Sequence, residues 1–78
     1  MTELDKGRKA VMRHASWLKR NGYSPCGGQA FAKEGVTLTV LDDGKWYCRM
    51  HLNGKFSYGD GRTPWSAENS AYSRLNKN

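Results

Sequence analysis

"VTLTVLDDGKWYCRMHLNGKFSYG", residues 36–59, decides the fold. Val36, Leu38 and Val40 alternate with Thr37 and Thr39. Trp46, Cys48, Met50 and Leu52 alternate with Lys45, Tyr47, Arg49 and His51, and Phe56 and Tyr58 alternate with Lys55 and Ser57. Successive side chains of a strand point to opposite sides, so a period of two marks a strand with one buried face. Asp43-Gly44 and Asn53-Gly54 separate the runs, and Asn and Gly accept the positive φ that tight hairpins demand. The pattern predicts a three-stranded antiparallel meander. Its apolar face carries the aliphatic residues with Phe56 and Tyr58, and its open face carries Thr37, Thr39, Tyr47, Arg49, His51, Lys55 and Ser57.

Helical patterns flank the meander. From Met1 to Asn21, Leu4, Val11, Ala15 and Leu18 share one side at about 100° per residue, with Met12 beside them. Gly22 follows as a stop, and Gly7 weakens the first turns, so the regular helix is expected to begin near Lys6 or later. Residues 22–35, with four glycines and a proline, read as a loop holding at most a short extended piece at Gln29–Lys33. Beyond the meander, "GDGRTPW" breaks the sheet. Thr63 is a helix cap, Pro64 loses no hydrogen bond at a first helical position, and the helix is expected from Pro64 to about Leu75. Ala67, Ala71 and Leu75 stack at four-residue spacing, with Trp65 and Tyr72 alongside. Glu68 favours the positive end of the helix dipole. The closing Asn76-Lys77-Asn78 reads as a frayed tail. The expectation is one domain over residues 1–78, α+β, in two layers ordered α-β-β-β-α with both helices on one face of the meander.

A chain of 78 residues holds one small core and little room for an enclosed active site. Thirteen Lys and Arg against seven Asp and Glu give a net charge of +6, which suits polyanionic partners: nucleic acid or an acidic protein surface. No run approaches the ~20 apolar residues of a membrane span. The polar N-terminus shows no secretory signal, so a cytoplasmic location is expected, with Cys26 and Cys48 as free thiols.

Three surfaces are candidates for function. Lys6, Lys9, Arg13, Trp17 and Arg20 recur every three or four residues and form a stripe expected opposite the apolar side of the first helix. A basic helical rail tracks phosphates while an indole stacks on a base or fills a partner's pocket. A solvated helix face accounts for the same cations without any ligand. On the open sheet face, Tyr47 and Arg49 with His51 form a patch suited to stacking bases or to self-association, and a wet face explains it equally well. The loop "SYGDGR", with Arg62, lacks phosphate-loop spacing and reads as a connector. Cys26, Cys48, His14 and His51 show none of the close paired spacings of a zinc site, so no metal or cofactor is expected. Cys48 and His51 are three apart on a strand and point to opposite faces. Asp42 and Asp43 read as turn residues, so no catalysis is expected.

The stretch from Val36 to Leu75 resembles the double-stranded-RNA-binding domain. In that family a hairpin strand leads to glycines and then to Ser-Lys-Lys-x-Ala-Lys opening the last helix. Here Gly59 and Gly61 supply the glycines, Thr63 stands in place of the Ser and Ala67 in place of the Ala. The lysines that hold phosphates in that family correspond to Pro64, Trp65 and Glu68, and no histidine lies between Leu41 and Lys45. The resemblance therefore implies the frame rather than the family's RNA contacts. Two functions are expected. The first is a non-catalytic module contacting nucleic acid or a ribonucleoprotein through the basic helix stripe. The second follows from a general similarity to the compact, basic accessory proteins of bacteriophages: an inhibitor or adaptor that blocks a host nuclease, polymerase or defence effector. Either acts as a monomer or weak homodimer.

Overall fold

The structure is a computed structural model describing residues 3–76, with side chains from residue 7 onward. Lys77, Asn78 and the side chains of Leu4 and Lys6 lie outside the described residues, and with them most of the expected tail and the first member of the helix stripe; Asn76, expected in that tail, is the last residue of the closing helix. The elements are α1 (Glu3–Arg20), β1 (Ser24–Pro25), β2 (Ala30–Lys33), β3 (Val36–Val40), β4 (Trp46–Leu52), β5 (Lys55–Gly61) and α2 (Pro64–Asn76). The strands form one sheet of five in the order β1-β2-β3-β4-β5, each neighbouring pair antiparallel.

The fold is α+β, but the expected three-stranded meander is corrected to five strands. Both additional strands come from residues 22–35: β2 falls on the extended piece expected at Gln29–Lys33, and β1 on the stretch read as loop. Glu34 and Gly35 make a tight turn that pairs Lys33 with Val36, and Gly35 takes φ +77°. The turn sets Phe31 opposite Leu38, on the core side. β1 adds only Ser24 and Pro25 at the sheet edge, where proline's missing N–H costs nothing.

Leu38, Trp46, Cys48 and Met50 lose all solvent exposure, and Val36 and Val40 are nearly as buried. Cross-strand partners in an antiparallel pair share a face. Asn53 and Gly54, at φ +53° and +77°, close the β4–β5 hairpin and pair Leu52 with Lys55, His51 with Phe56, Arg49 with Tyr58 and Met50 with Ser57. Phe56 and Tyr58 therefore lie on the open face, and Ser57 and Gly59 on the covered one. This reverses the sides expected for β5.

The reversal has a packing cause. α2 lays Ala67, Ala71 and Leu75 against the sheet, and its backbone passes so close to β5 that a Cβ on residue 59 would sit 2.5 Å from the Ala67 carbonyl oxygen. Only the smallest side chains fit beneath it. The Ser57 hydroxyl donates a 2.7 Å hydrogen bond to the Ala71 carbonyl, which satisfies this buried group, whereas the buried Trp46 Nε1 has no hydrogen-bond partner among the described residues. Thr63 caps α2 by accepting the Ser66 N–H at 3.1 Å.

α1 is rotated from its expected phase. Leu18 is buried, and Ala10, Val11 and Trp17 pack against the core, whereas Ala15 and Met12 are exposed, Met12 at 77%. An indole offers far more apolar area to bury than a methyl, so the aromatic side of the helix wins the interior.

A candidate nucleic-acid interface

Trp17 does not stand outward among the cations. It is half-buried, stacked on Tyr23 at 5.8 Å between ring centroids and tilted against Trp65 at 5.7 Å. His14 meets Trp65 edge-on at 5.1 Å and Trp46 at 6.0 Å. These rings join α1 to α2 and to the sheet. The imidazole's pKa is lowered, first by burial and then by the neighbouring Arg13 guanidinium. The expected outward indole is thus a structural one.

The expected cations fare differently. Lys9, Arg13 and Arg20 are exposed. Lys9 and Arg13 line an open groove of about 590 Å³ together with Ala10, Asp43, Gly44, Lys45 and Arg62. Its walls come from the solvent side of α1, the β3–β4 turn and the loop between β5 and α2. The turn is held by paired bonds between Leu41 and its partners: the Leu41 N–H donates to the Lys45 carbonyl and the Gly44 N–H to the Leu41 carbonyl, both at 2.8 Å. Asp43 accepts the Lys45 N–H at 2.9 Å, which is the turn role expected of it. Lys45 reaches Asp60 at 3.0 Å, an exposed pair that raises the lysine pKa and lowers the carboxylate's. Four cations thus face the groove with one carboxylate lining it. Arg20, Tyr47 and Arg49 lie outside this lining. Arg62 belongs to the loop read as a connector, and Lys45 was expected only as a strand residue. Their one sequence signal is position, since each flanks a turn at the sheet end that α1 also reaches.

Tyr47, Arg49 and His51 do lie together on the open face, exposed as expected, and Phe56, Tyr58 and Asp60 join them from β5. His51 stacks on Phe56 with centroids 4.1 Å apart and planes 3° from parallel. Thr37 and Thr39 extend the same face on β3. Lys55 and Ser57, expected here, project on the other side.

The α2 positions that correspond to the phosphate-holding lysines of the double-stranded-RNA-binding domain are occupied by structural residues. Pro64 is buried, and Trp65 packs on His14 and Trp17. Glu68 accepts the Tyr23 hydroxyl and pairs with Lys33 at 3.6 Å, while the Lys33 ammonium lies 4.5 Å from the Tyr23 ring centroid. Burial and the Glu68 carboxylate together raise the Tyr23 pKa. The thiols are far from equivalent: Cys26 is exposed, whereas Cys48 is buried, and burial followed by Glu68 pushes its pKa up to about 11. Among the described residues, no three His, Cys, Asp or Glu side chains gather as a metal site, and no helix is long and apolar enough to cross a membrane. Compared with known proteins, the chain matches no family model, no curated protein and no solved structure, the double-stranded-RNA-binding domain included.

Proposed function

We propose that the chain is a non-catalytic nucleic-acid-binding module whose phosphate contacts are made by Lys9, Arg13, Lys45 and Arg62. The convergence of four cations, from three separate segments, on one open groove carries this reading. Lys45 is anchored at the groove by Asp60, and Arg62 brings a further cation to it from the loop before α2. Phosphate contacts position a nucleic acid and release its condensed counterions, so they suit a chain of net charge +6. Arg20, further along α1, adds to the field without lining the groove.

Fluorescence anisotropy of a labelled oligonucleotide, titrated with salt, tests the reading. With Lys45 exchanging its Asp60 partner for a phosphate, four contacts predict that log K falls against log salt with a slope of about −3. Arg13→Glu with Arg62→Glu removes about half of that slope and leaves the circular dichroism unchanged. No binding at low salt refutes the reading and leaves the inhibitor or adaptor for a protein partner. One feature favours that second reading: Met12 lies exposed on α1 beside an open cavity lined also by Arg8, Val11, Gly28 and Gln29.

A further inference from the structure

We infer that the open face of β3, β4 and β5 is a stacking platform for the unpaired bases of single-stranded nucleic acid. This rests on the phosphate-groove reading and names the strand form that the module takes. The face presents three half-exposed rings, Tyr47 at 44%, Phe56 at 53% and Tyr58 at 47%; His51 already stacks on one side of Phe56, which leaves its other side for a base. They stand in successive cross-strand rows: Thr39–Tyr47–Asp60, then Thr37–Arg49–Tyr58, then His51–Phe56. Rows two residues apart are separated by roughly 6.6 Å. That is about twice the ~3.4 Å rise of a stacked strand, so a chain following the rows is unstacked, one base to each row. A ring has a π-face to offer, and every unpaired base has one to receive it, so contact of this kind is tolerant of sequence.

Charge placement selects a single strand over a duplex. A duplex laid on this face brings two phosphate backbones, one along each flank. On the side of β1–β3 the rows of this face carry Ser24, Ala30, Ala32, Thr37 and Thr39, none of them a cation. The groove cations gather at one end instead, around Lys45 and Arg62, where the Lys45–Asp60 pair meets the row of Tyr47. One backbone entering over the groove and passing its bases onto the rings satisfies both features. Arg49, in the middle row, adds a planar cation that stacks on a base.

The test measures anisotropy of a labelled 12-nucleotide single strand and of its duplex at low salt, for the intact chain and its variants. The single strand is expected to bind at least tenfold tighter than the duplex. Tyr47→Ala, Phe56→Ala and Tyr58→Ala each weaken it by about tenfold. Because none removes a cation, the salt slope stays at its original value, whereas Arg13→Glu with Arg62→Glu lowers it. Tyr58→Phe retains the ring and binds as before, while Tyr58→Leu retains an apolar side chain without a π-face and binds as weakly as the alanine variant. This pair keeps the test decisive if an alanine variant unfolds. Equal or tighter binding of the duplex overturns the inference, as does full binding by the ring variants. In both cases the groove reading survives if the slope still falls in the arginine variants. Polyglutamate binding as tightly as the oligonucleotide overturns both readings and points to an acidic protein surface.

Discussion

The two faces of one sheet are built by opposite rules. On the covered face, Trp46, Cys48 and Met50 of β4 are large and fully enclosed, while beneath α2 β5 contributes only the small residues Ser57, Gly59 and Gly61, with Lys55 at its exposed end. On the open face, β5 contributes Phe56 and Tyr58, its largest residues, and leaves them to solvent. Hydrophobicity alone assigns these the wrong way round. The side a residue takes is fixed by the register of the Asn53–Gly54 turn, and the register is favoured because α2 comes too near β5 for anything with bulk. An aromatic pair turned outward by such a constraint reflects the close approach of α2, not a flaw in the core.

The largest expected effect comes from violating the close approach. Gly59→Val places its Cβ against the Ala67 carbonyl oxygen and the Ala71 amide, which are backbone atoms and cannot swing away. α2 must lift from the sheet, and overpacking of this kind costs about 3 kcal/mol or more. A domain this small has little to spare, so thermal denaturation is expected to show no cooperative transition. A melting temperature within a few degrees of the parent's shows that the separation of α2 from β5 is not what sets the faces.

Matched truncations compare the faces directly. Met50→Ala leaves a cavity under α2 and is expected to cost about 3 kcal/mol by urea unfolding. Tyr58→Ala, next door in the sheet and facing outward, is expected to cost about 1 kcal/mol or less. Equal costs erase the distinction between a core face and a free one.

The sequence disclosed periodic elements well and tertiary choices poorly. β3, β4 and both of their hairpin turns were legible because period two persists over five to seven residues there. α2 announced itself through Thr63 and Pro64. The strand Ala30–Lys33 showed as an extended piece, but it is too short to display a period and is half-buried throughout, so its pairing into the sheet was not legible, and neither was β1. α1 was legible as a helix but not in phase, since Val11 and Leu18 fit a side shared with Ala15 as well as one shared with His14 and Trp17. The choice depended on which side meets Tyr23, just beyond the helix, and Trp65, far along the chain. Half of the groove was readable, as Lys9 and Arg13 at helical spacing. Lys45 and Arg62 join it only through folding.

The inner layer also holds a polar tie, which has no equivalent among the outward rings. The Tyr23 hydroxyl donates to Glu68, and Lys33 pairs with the same carboxylate, so the segment after α1, strand β2 and helix α2 meet at one point. Tyr23→Phe keeps the ring that stacks on Trp17 and removes only the donor. The carboxylate then depends on Lys33 alone, and urea unfolding is expected to register a loss of about 1–2 kcal/mol. An unchanged midpoint shows that packing of the Tyr23 ring, rather than its hydrogen bond, joins the layers.

The smallest expected effect lies in pH. His14 stands against Trp46 and Trp65, and burial, aided by Arg13, lowers its pKa below the ordinary 6.5. In the window below 6.5 the unfolded chain binds this proton more readily than the folded one. The histidine's contribution to stability is therefore complete above 6.5 and declines as pH falls through the lowered value. Melting temperature should drop between pH 7 and pH 5. The Lys45–Asp60 pair does not contribute there, because the Asp60 pKa is held below its ordinary 3.8. His14→Phe puts a ring that does not titrate between the same indoles, and it should flatten the curve across that interval. If the variant and the parent decline alike, the pH response arises elsewhere, and the aromatic seam between α1 and α2 is indifferent to protonation.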